Sequence, residues 1–224
     1  MRPSIDNMRY KCLIFDHDDT TVNSTATIHY PCFQKFLDEY YPGRTLTLED
    51  YFIKNFTPGF LEMCRDEYRM TDEDLRVETE YWNDYVQSHI PTAYPGIGDI
   101  MHRHKAEGGI VCVVSHSFSH NISRDFAANG LPEPDRIYGW ELPNEKRKPS
   151  PWAPEQIMKD YGISPEQVLI IDDLKPGYEM AKSCGADFAA AGWAYDIPFI
   201  EDFMRQNCEN YFKTVEELKS YLGY

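Results

Sequence analysis

Residues 10–22 read Tyr-Lys-Cys-Leu-Ile-Phe-Asp-His-Asp-Asp-Thr-Thr-Val, a short apolar run that stops at Asp16, Asp18 and Asp19. Carboxylates crowded together repel one another unless something positive joins them. Oxygen-only donors suit a hard divalent cation, and magnesium better than zinc. An EF-hand calcium loop is a poor match, because the glycine after the third ligand position and the acidic residue that closes the loop are both missing. An acidic turn after a strand would read the same in isolation, so the decision falls to the rest of the chain.

Three further groups have types suited to the same chemistry: Ser115-His116-Ser117, the basic triplet Lys146-Arg147-Lys148, and the adjacent acids Asp172-Asp173. Each follows a segment that reads as a strand. Cys12 to Phe15, Gly109 to Ser115 and Val168 to Ile171 are short apolar runs, and Arg136 to Trp140 is a shorter one. Strands without polar alternation are covered on both faces, as in parallel sheets, and their C-terminal ends open onto the crevice where such sheets place ligands.

The elements between them alternate. Ile97, Ile100, Met101 and His104 mark an amphipathic helix, Ile122 and Phe126 lie on another closed by Gly130 and Pro132, and Ile157, Met158 and Tyr161 on a third ended by Gly162. Ser164 to Gln167 reads as a capping turn, and Met180, Ala181 and Cys184 precede the helix-ending Gly185. From Thr21 to Ala93, by contrast, the pattern is helical with no convincing strand. Phe33, Phe36, Leu37 and Tyr40 share one face, as do Trp82, Tyr85, Val86 and His89, and Thr71 with Asp74 resembles a helix start. Alternation after Tyr94-Pro95-Gly96 predicts an α/β fold, a doubly wound parallel sheet built from residues 1–20 and 94–224, with residues 21–93 inserted as an all-helical cap. In that arrangement the four candidate groups share one sheet edge.

Composition narrows the partners. The 224 residues carry 22 basic and 37 acidic side chains, a formal charge of −15. Nucleic acids and anionic membranes need basic patches, so neither is expected as a partner. The six cysteines show no Cys-x-x-Cys pair or metal-finger spacing. Reduced thiols are expected, and a cytoplasmic location with them. Residues 1–11 lack the apolar core of a signal peptide, and no run approaches the ~18 apolar residues of a membrane span.

Four segments together resemble the haloacid dehalogenase superfamily, over Tyr10 to about Gly192. Phe15 to Val22 is similar to its first motif, a strand followed by Asp-x-Asp-x-Thr. Val113 to Ser117 resembles the second, Lys148-Pro149-Ser150-Pro151 the third, and Ile171-Asp172-Asp173-Leu174-Lys175-Pro176-Gly177 the fourth. The helical insertion resembles the cap of the subgroup that contains phosphoglycolate phosphatase and β-phosphoglucomutase.

The resemblance implies a HAD-like Rossmannoid core and a two-step phosphoryl transfer from a small phosphorylated metabolite. Asp16 would be the nucleophile that forms an aspartyl-phosphate, and Asp18 the acid that protonates the leaving alcohol and then activates water. Magnesium would be held by Asp16, the Asp18 backbone carbonyl and Asp173, with Asp172 as auxiliary ligand or lysine partner. Thr20, Ser115, His116 and Lys148 are the candidate phosphate-binding residues, with Lys146 as a fallback for Lys148. Plainer roles compete: Ser115 could satisfy a turn, Lys148 could be one of three solvated cations, and Asp172 and Asp173 could cap a helix.

Asp18 counts against a dehalogenase, whose leaving halide needs no proton, and against the phosphonate-cleaving branch, which works through a lysine Schiff base. A phosphomutase and a non-catalytic phospho-ligand-binding or regulatory protein stay as alternatives. Three residues depart from the family pattern: Asp19 where relatives usually carry glycine, His17 where they carry an aliphatic residue, and His116 where they carry Asn or Thr. The two histidines read first as packed or solvated loop residues and second as substrate contacts. The aromatic residues of the insertion, including Phe52, Phe56, Phe60, Tyr81, Trp82 and Tyr85, read mostly as its core.

Overall fold

A computed structural model describes residues 8–224. The described chain divides into two compact units, one made of the residues through Val22 with Thr92–Tyr224, the other of Asn23–Pro91.

In chain order, β1 (Cys12–Phe15) and the two-residue β2 (Val22–Asn23) come first. A π-helical turn, Thr25–His29, leads into α1 (Tyr30–Tyr40), α2 (Leu48–Phe56), α3 (Phe60–Glu67) and α4 (Asp72–Gln87). Then follow β3 (Thr92–Ala93), α5 (Ile97–Ala106), β4 (Ile110–Val114), α6 (Ser119–Ala128), β5 (Arg136–Tyr138), α7 (Trp152–Tyr161) and β6 (Val168–Asp172). The chain ends with α8 (Lys175–Cys184), β7 (Asp187–Ala191), α9 (Pro198–Asn207), β8 (Asn210–Phe212) and α10 (Val215–Leu222).

Six strands form one sheet in the order β5-β4-β1-β6-β7-β8, every neighbouring pair parallel. Strand β1 has no exposed side chain, because its alternate residues point to opposite faces and both faces are covered. Leu13 and Phe15 pack with Val111, Val113, Leu169 and Ile171 against Ile97, Ile100 and Met101 of α5 and Phe126 of α6. Cys12, Ile14 and Ile170, facing the other way, are as deeply buried, and α8 packs on β6 and β7.

Register sets the height of the edge. Phe15 lies opposite Val113 on one side and Ile171 on the other. The next residues, Asp16, Val114 and Asp172, are therefore level, and Ser115 and Asp173 stand one position further out. Parallel strands thus deliver all the candidate groups to one end of the sheet.

The helical unit has its own core, in which Phe33, Phe36, Leu37, Tyr51, Met63 and Leu75 pack together with Phe60 and Tyr81 against them. Phe33 meets Tyr68 edge to face at 5.7 Å, a geometry that places a ring's positive edge on the other's negative face. Phe52 and Phe56 are buried too. Helix α4 starts at the expected residue: Thr71 accepts from the Asp74 N–H while the Asp74 carboxylate takes the Thr71 N–H, which satisfies two end donors reciprocally.

The structure departs from the sequence expectation in three places. Residues 21–93 are not free of strand, since β2 and the end segment β3 pair with each other. His89 lies beyond α4, which stops at Gln87. Finally, β7, α9, β8 and α10 follow where the sequence reading assigns nothing. The alanine run of β7, Phe-Ala-Ala-Ala, lacks the β-branched residues that mark a strand, and it is a strand because β6 and β8 pair with it on either side. Among the described residues no helix is long and apolar enough to cross a membrane.

Candidate active site

Asp16 leaves the end of β1 with its N–H held by the Ile171 carbonyl at 2.8 Å, so its backbone is fixed before its side chain does anything. Lys148 arrives from the loop after β5. Its ammonium donates to Oδ1 of Asp16 and to Oδ2 of Asp172, both at 2.7 Å, and all three side chains are at most 5% exposed. Lys146, the fallback, stands instead over the Trp152 ring at 4.5 Å.

The two acids at the end of β6 divide their work because adjacent strand residues face opposite ways. Asp172 takes Lys148 on one oxygen and the Leu174 N–H, 2.9 Å away, on the other, so it is both the lysine partner and the cap of the turn into α8. Asp173 meets no cation directly: Thr20 donates to its Oδ1 at 3.1 Å and Tyr195 to its Oδ2 at 3.0 Å. Trp193 in turn fixes the Thr20 carbonyl through an indole N–H at 3.1 Å.

Carboxylate oxygens of Asp16, Asp172 and Asp173 lie within 4.8 Å of one another. Burial pushes Asp16 up to about 7; Lys148 opposes this, while Asp172 and Asp18 add to it. Asp173 is held well above the carboxylate range by burial and then by Asp172, Asp19 and Asp16. Lys148 loses hydration on burial, yet the two aspartates more than restore its preference for the charged form. One ammonium thus faces more negative charge than it can neutralise. Buried, oxygen-only and under-compensated, these donors fit a hard divalent cation: Asp16 and Asp173 would hold it, with Asp172 beside them.

Asp18 is half-buried, and the Ser117 hydroxyl donates to its Oδ2 at 2.6 Å. Ser115 is buried, and its oxygen accepts the Ser117 N–H at 3.2 Å, which leaves its proton to donate. His116 is exposed; its Nε2–H donates to the Lys148 carbonyl at 3.2 Å, and desolvation by the surrounding loops with repulsion from Lys148 and Arg147 pushes its pKa down. Exposure on one side and dense atoms on the other make the cationic neighbours the firmer of these causes. With the proton on Nε2, Nδ1 is an acceptor, which cannot serve a phosphate oxygen. His116 thus presents an exposed, neutral ring beside the Lys148 backbone.

Thr20 is fully buried, and its hydroxyl donates to Asp173. His17 is packed, not solvated, with Nε2 against Asp125 at 3.0 Å. Sequence reasoning overlooked Ser117, Asp125, Trp193 and Tyr195. Ser117 lay inside a quoted motif, and Tyr195 follows β7, whose end opens on the same edge; Asp125 carried no local signal.

Comparison with known proteins places this geometry. Residues 13–191 match the family model of haloacid dehalogenase-like hydrolases. A phosphoglycolate phosphatase of Haemophilus influenzae is 24% identical, covering 87% of this chain and 92% of its own. Pyrophosphatase PpaX of Listeria innocua is also 24% identical, over 92% and 96%. Among solved structures, a haloacid dehalogenase-like family protein from Streptococcus pneumoniae superposes with a TM-score of 0.75 at 18% identity, covering 95% of this chain and 98% of that one. CbbY from Rhodobacter sphaeroides in complex with xylulose-(1,5)bisphosphate gives 0.71 at 18%, covering 93% and 96%.

Proposed function

We propose that this chain, which belongs to the haloacid dehalogenase-like hydrolases, is a magnesium-dependent phosphatase that releases phosphate from small-metabolite monoesters by way of Asp16. The observation that carries the reading is the Lys148 ammonium bridging Asp16 and Asp172 at 2.7 Å, at the edge where Ser115, Asp18 and Asp173 also emerge. Its relatives are named for phosphoglycolate and pyrophosphate, and CbbY was solved with a sugar bisphosphate. A small anionic phosphorylated compound is what these names share, and a phosphomonoester is the class proposed here.

In the first step an Asp16 carboxylate oxygen attacks phosphorus, the bond from phosphorus to the leaving oxygen breaks, and Asp18 gives that oxygen its proton. In the second, Asp18 takes a proton from water as the water oxygen attacks the same phosphorus and Asp16 departs as a carboxylate. The Ser115 hydroxyl and Lys148 ammonium donate to the phosphoryl oxygens, the larger part of catalysis in this reaction type. Magnesium, when bound by Asp16, Asp173 and the Asp18 carbonyl, supplies charge neutralisation between an anionic nucleophile and an anionic phosphate. Ser117 orients Asp18, while Thr20 and Tyr195 orient Asp173. Residues 21–93 take the part of the inserted cap, and the cytoplasm is the compartment proposed for the enzyme.

The test is a panel of phosphate esters assayed for free phosphate with magnesium, with a chelator, and with Asp16→Asn. Turnover should require the metal and fall at least ~10⁴-fold in the variant, as loss of a nucleophile implies. Activity that survives Asp16→Asn removes the nucleophile, activity indifferent to chelation removes the metal, and an isomerised sugar phosphate without phosphate release replaces the hydrolase by a mutase.

A further inference from the structure

His17 stands between Asp16 and Asp18 and has no part in the mechanism so far. Its side chain is 1% exposed and lies against the Phe126 ring, centroids 6.0 Å apart. Among the described residues Nδ1 has no partner, while Nε2 faces a carboxylate, so Nε2 carries the proton and donates it to Oδ2 of Asp125 at 3.0 Å. Asp125 is itself buried within α6, and its other oxygen takes the Arg124 guanidinium at 2.7 Å. A buried imidazole is a costly way to fill space that an aliphatic side chain fills without a partner. The hydrogen bond spans 108 residues of sequence, and both of its ends are ordered by packing.

The turn leading into that helix grips the next residue as well. Ser117, in the turn that opens α6, donates to Asp18 at 2.6 Å. The His17 carbonyl meanwhile accepts the N–H groups of Thr21 and Val22 at 2.9 and 3.0 Å, which closes the loop behind it. Rotation of the peptide between His17 and Asp18 is therefore opposed at the imidazole, at the carbonyl and at the Asp18 carboxylate.

We propose that the His17–Asp125 pair is a positioning device that sets the Asp18 carboxyl toward the leaving-group oxygen. The inference rests on the phosphatase reading above, and it locates the cost of losing the pair in the protonation step. That step matters for an alkyl leaving group, a poor anion, and hardly at all for p-nitrophenolate, which departs as a stable anion.

The experiment compares kcat/KM for 2-phosphoglycolate and p-nitrophenyl phosphate, since this ratio reports on events through leaving-group departure. His17→Leu and Asp125→Ala should lose about 30- to 100-fold on the alkyl ester, the scale of a misplaced general acid, and under about 5-fold on the nitrophenyl ester. Asp125→Asn keeps an acceptor oxygen for Nε2–H and should recover most of the loss. If His17→Leu does not fold by circular dichroism, the Asp125→Ala and Asp125→Asn pair carries the comparison. Equal losses on both esters, or none on either, overturn the positioning role alone. No phosphate release by the unaltered protein from either ester overturns the phosphatase reading and this inference with it.

Discussion

Lys148→Met is the most direct test of the charge balance at the sheet edge. The substitution keeps the stem and removes an ammonium that contacts Asp16 and Asp172 at 2.7 Å each, from a site where the side chains are at most 5% exposed. Breaking a buried pair by deleting one partner costs about 3–5 kcal/mol, because the surviving charges are left unpaired. For a domain of this size each kcal/mol moves the melting temperature by about 2–4 °C, so the variant should melt roughly 6–20 °C lower near pH 8. The sign with pH follows from the carboxylates. Asp16 is already raised by burial, and its folded-state pKa rises further without Lys148. A carboxyl with a raised folded pKa contributes stability fully below its unfolded pKa and loses it as pH rises through the folded value. The deficit should therefore shrink at pH 5, where protons replace the lysine. Melts of both proteins at pH 5 and pH 8 read this directly, and phosphate release should fall about 10²–10³-fold, the cost of one charged donor at a transferring group. A melting deficit under about 2 °C, or one equal at both pH values, would refute the view that Lys148 compensates the charge of these buried acids.

Two further outcomes test other links. Gly177 lies where α8 begins, and a Cβ there would overlap the Asp172 carboxyl; Gly177→Ala should cost about 1–3 kcal/mol by overpacking and lower kcat by displacing Asp172 from Lys148, read by melting and turnover together. Turnover unchanged in a destabilised variant would separate Asp172 from function. In the helical unit, burial pushes Glu78 up to about 8, with His29 opposing. Since the folded state holds this proton more tightly, Glu78 should reduce stability by at most about 1.4 kcal/mol per pH unit as pH rises from near 4.5 to about 8. Urea unfolding at pH 5, 6.5 and 8 should show a shallower slope in Glu78→Gln than in the parent, the remainder belonging to Asp16 and Asp173; equal slopes in the two proteins would remove Glu78 from the pH dependence.

The sheet was legible because its central strands are apolar without alternation, and a strand that can be covered on both faces belongs in the middle of a parallel sheet. Once β1, β4 and β6 were placed, their ends had to meet, and Asp16, Ser115 and Asp172 followed from register alone. Local sequence could not separate Lys146 from Lys148, two cations in one loop. Only the fold sends one to the Trp152 ring and the other to two carboxylates. Nor could it find the partners that act at long range. Asp125 reads as an ordinary polar position on α6, and Tyr195 lies past a strand whose alanines concealed it. The Thr20 hydroxyl likewise finds a distant partner that its neighbours in sequence do not announce, donating to Asp173 across 153 residues.

Asp19 was the residue without an account, and its backbone supplies one. Its φ is +58°, in the left-handed region that glycine enters freely and that aspartate and asparagine tolerate better than other side chains. The turn requires it, since the Asp19 N–H reaches forward to the Val22 carbonyl at 2.7 Å. Glycine would satisfy this conformation and add no charge. Aspartate satisfies it too, but brings a carboxylate that is 4% exposed and is among the groups that raise Asp173. The sheet edge then holds Asp16, Asp19, Asp172 and Asp173 buried against the ammonium of Lys148, the one buried lysine among the described residues. Such an excess is relieved in two ways, by protons or by a cation. Protonation would silence the nucleophile proposed at Asp16, whereas a divalent cation relieves the repulsion and leaves Asp16 ionised to attack. Asp19 therefore adds one more buried carboxylate to the same charge excess that a divalent cation at this edge would relieve.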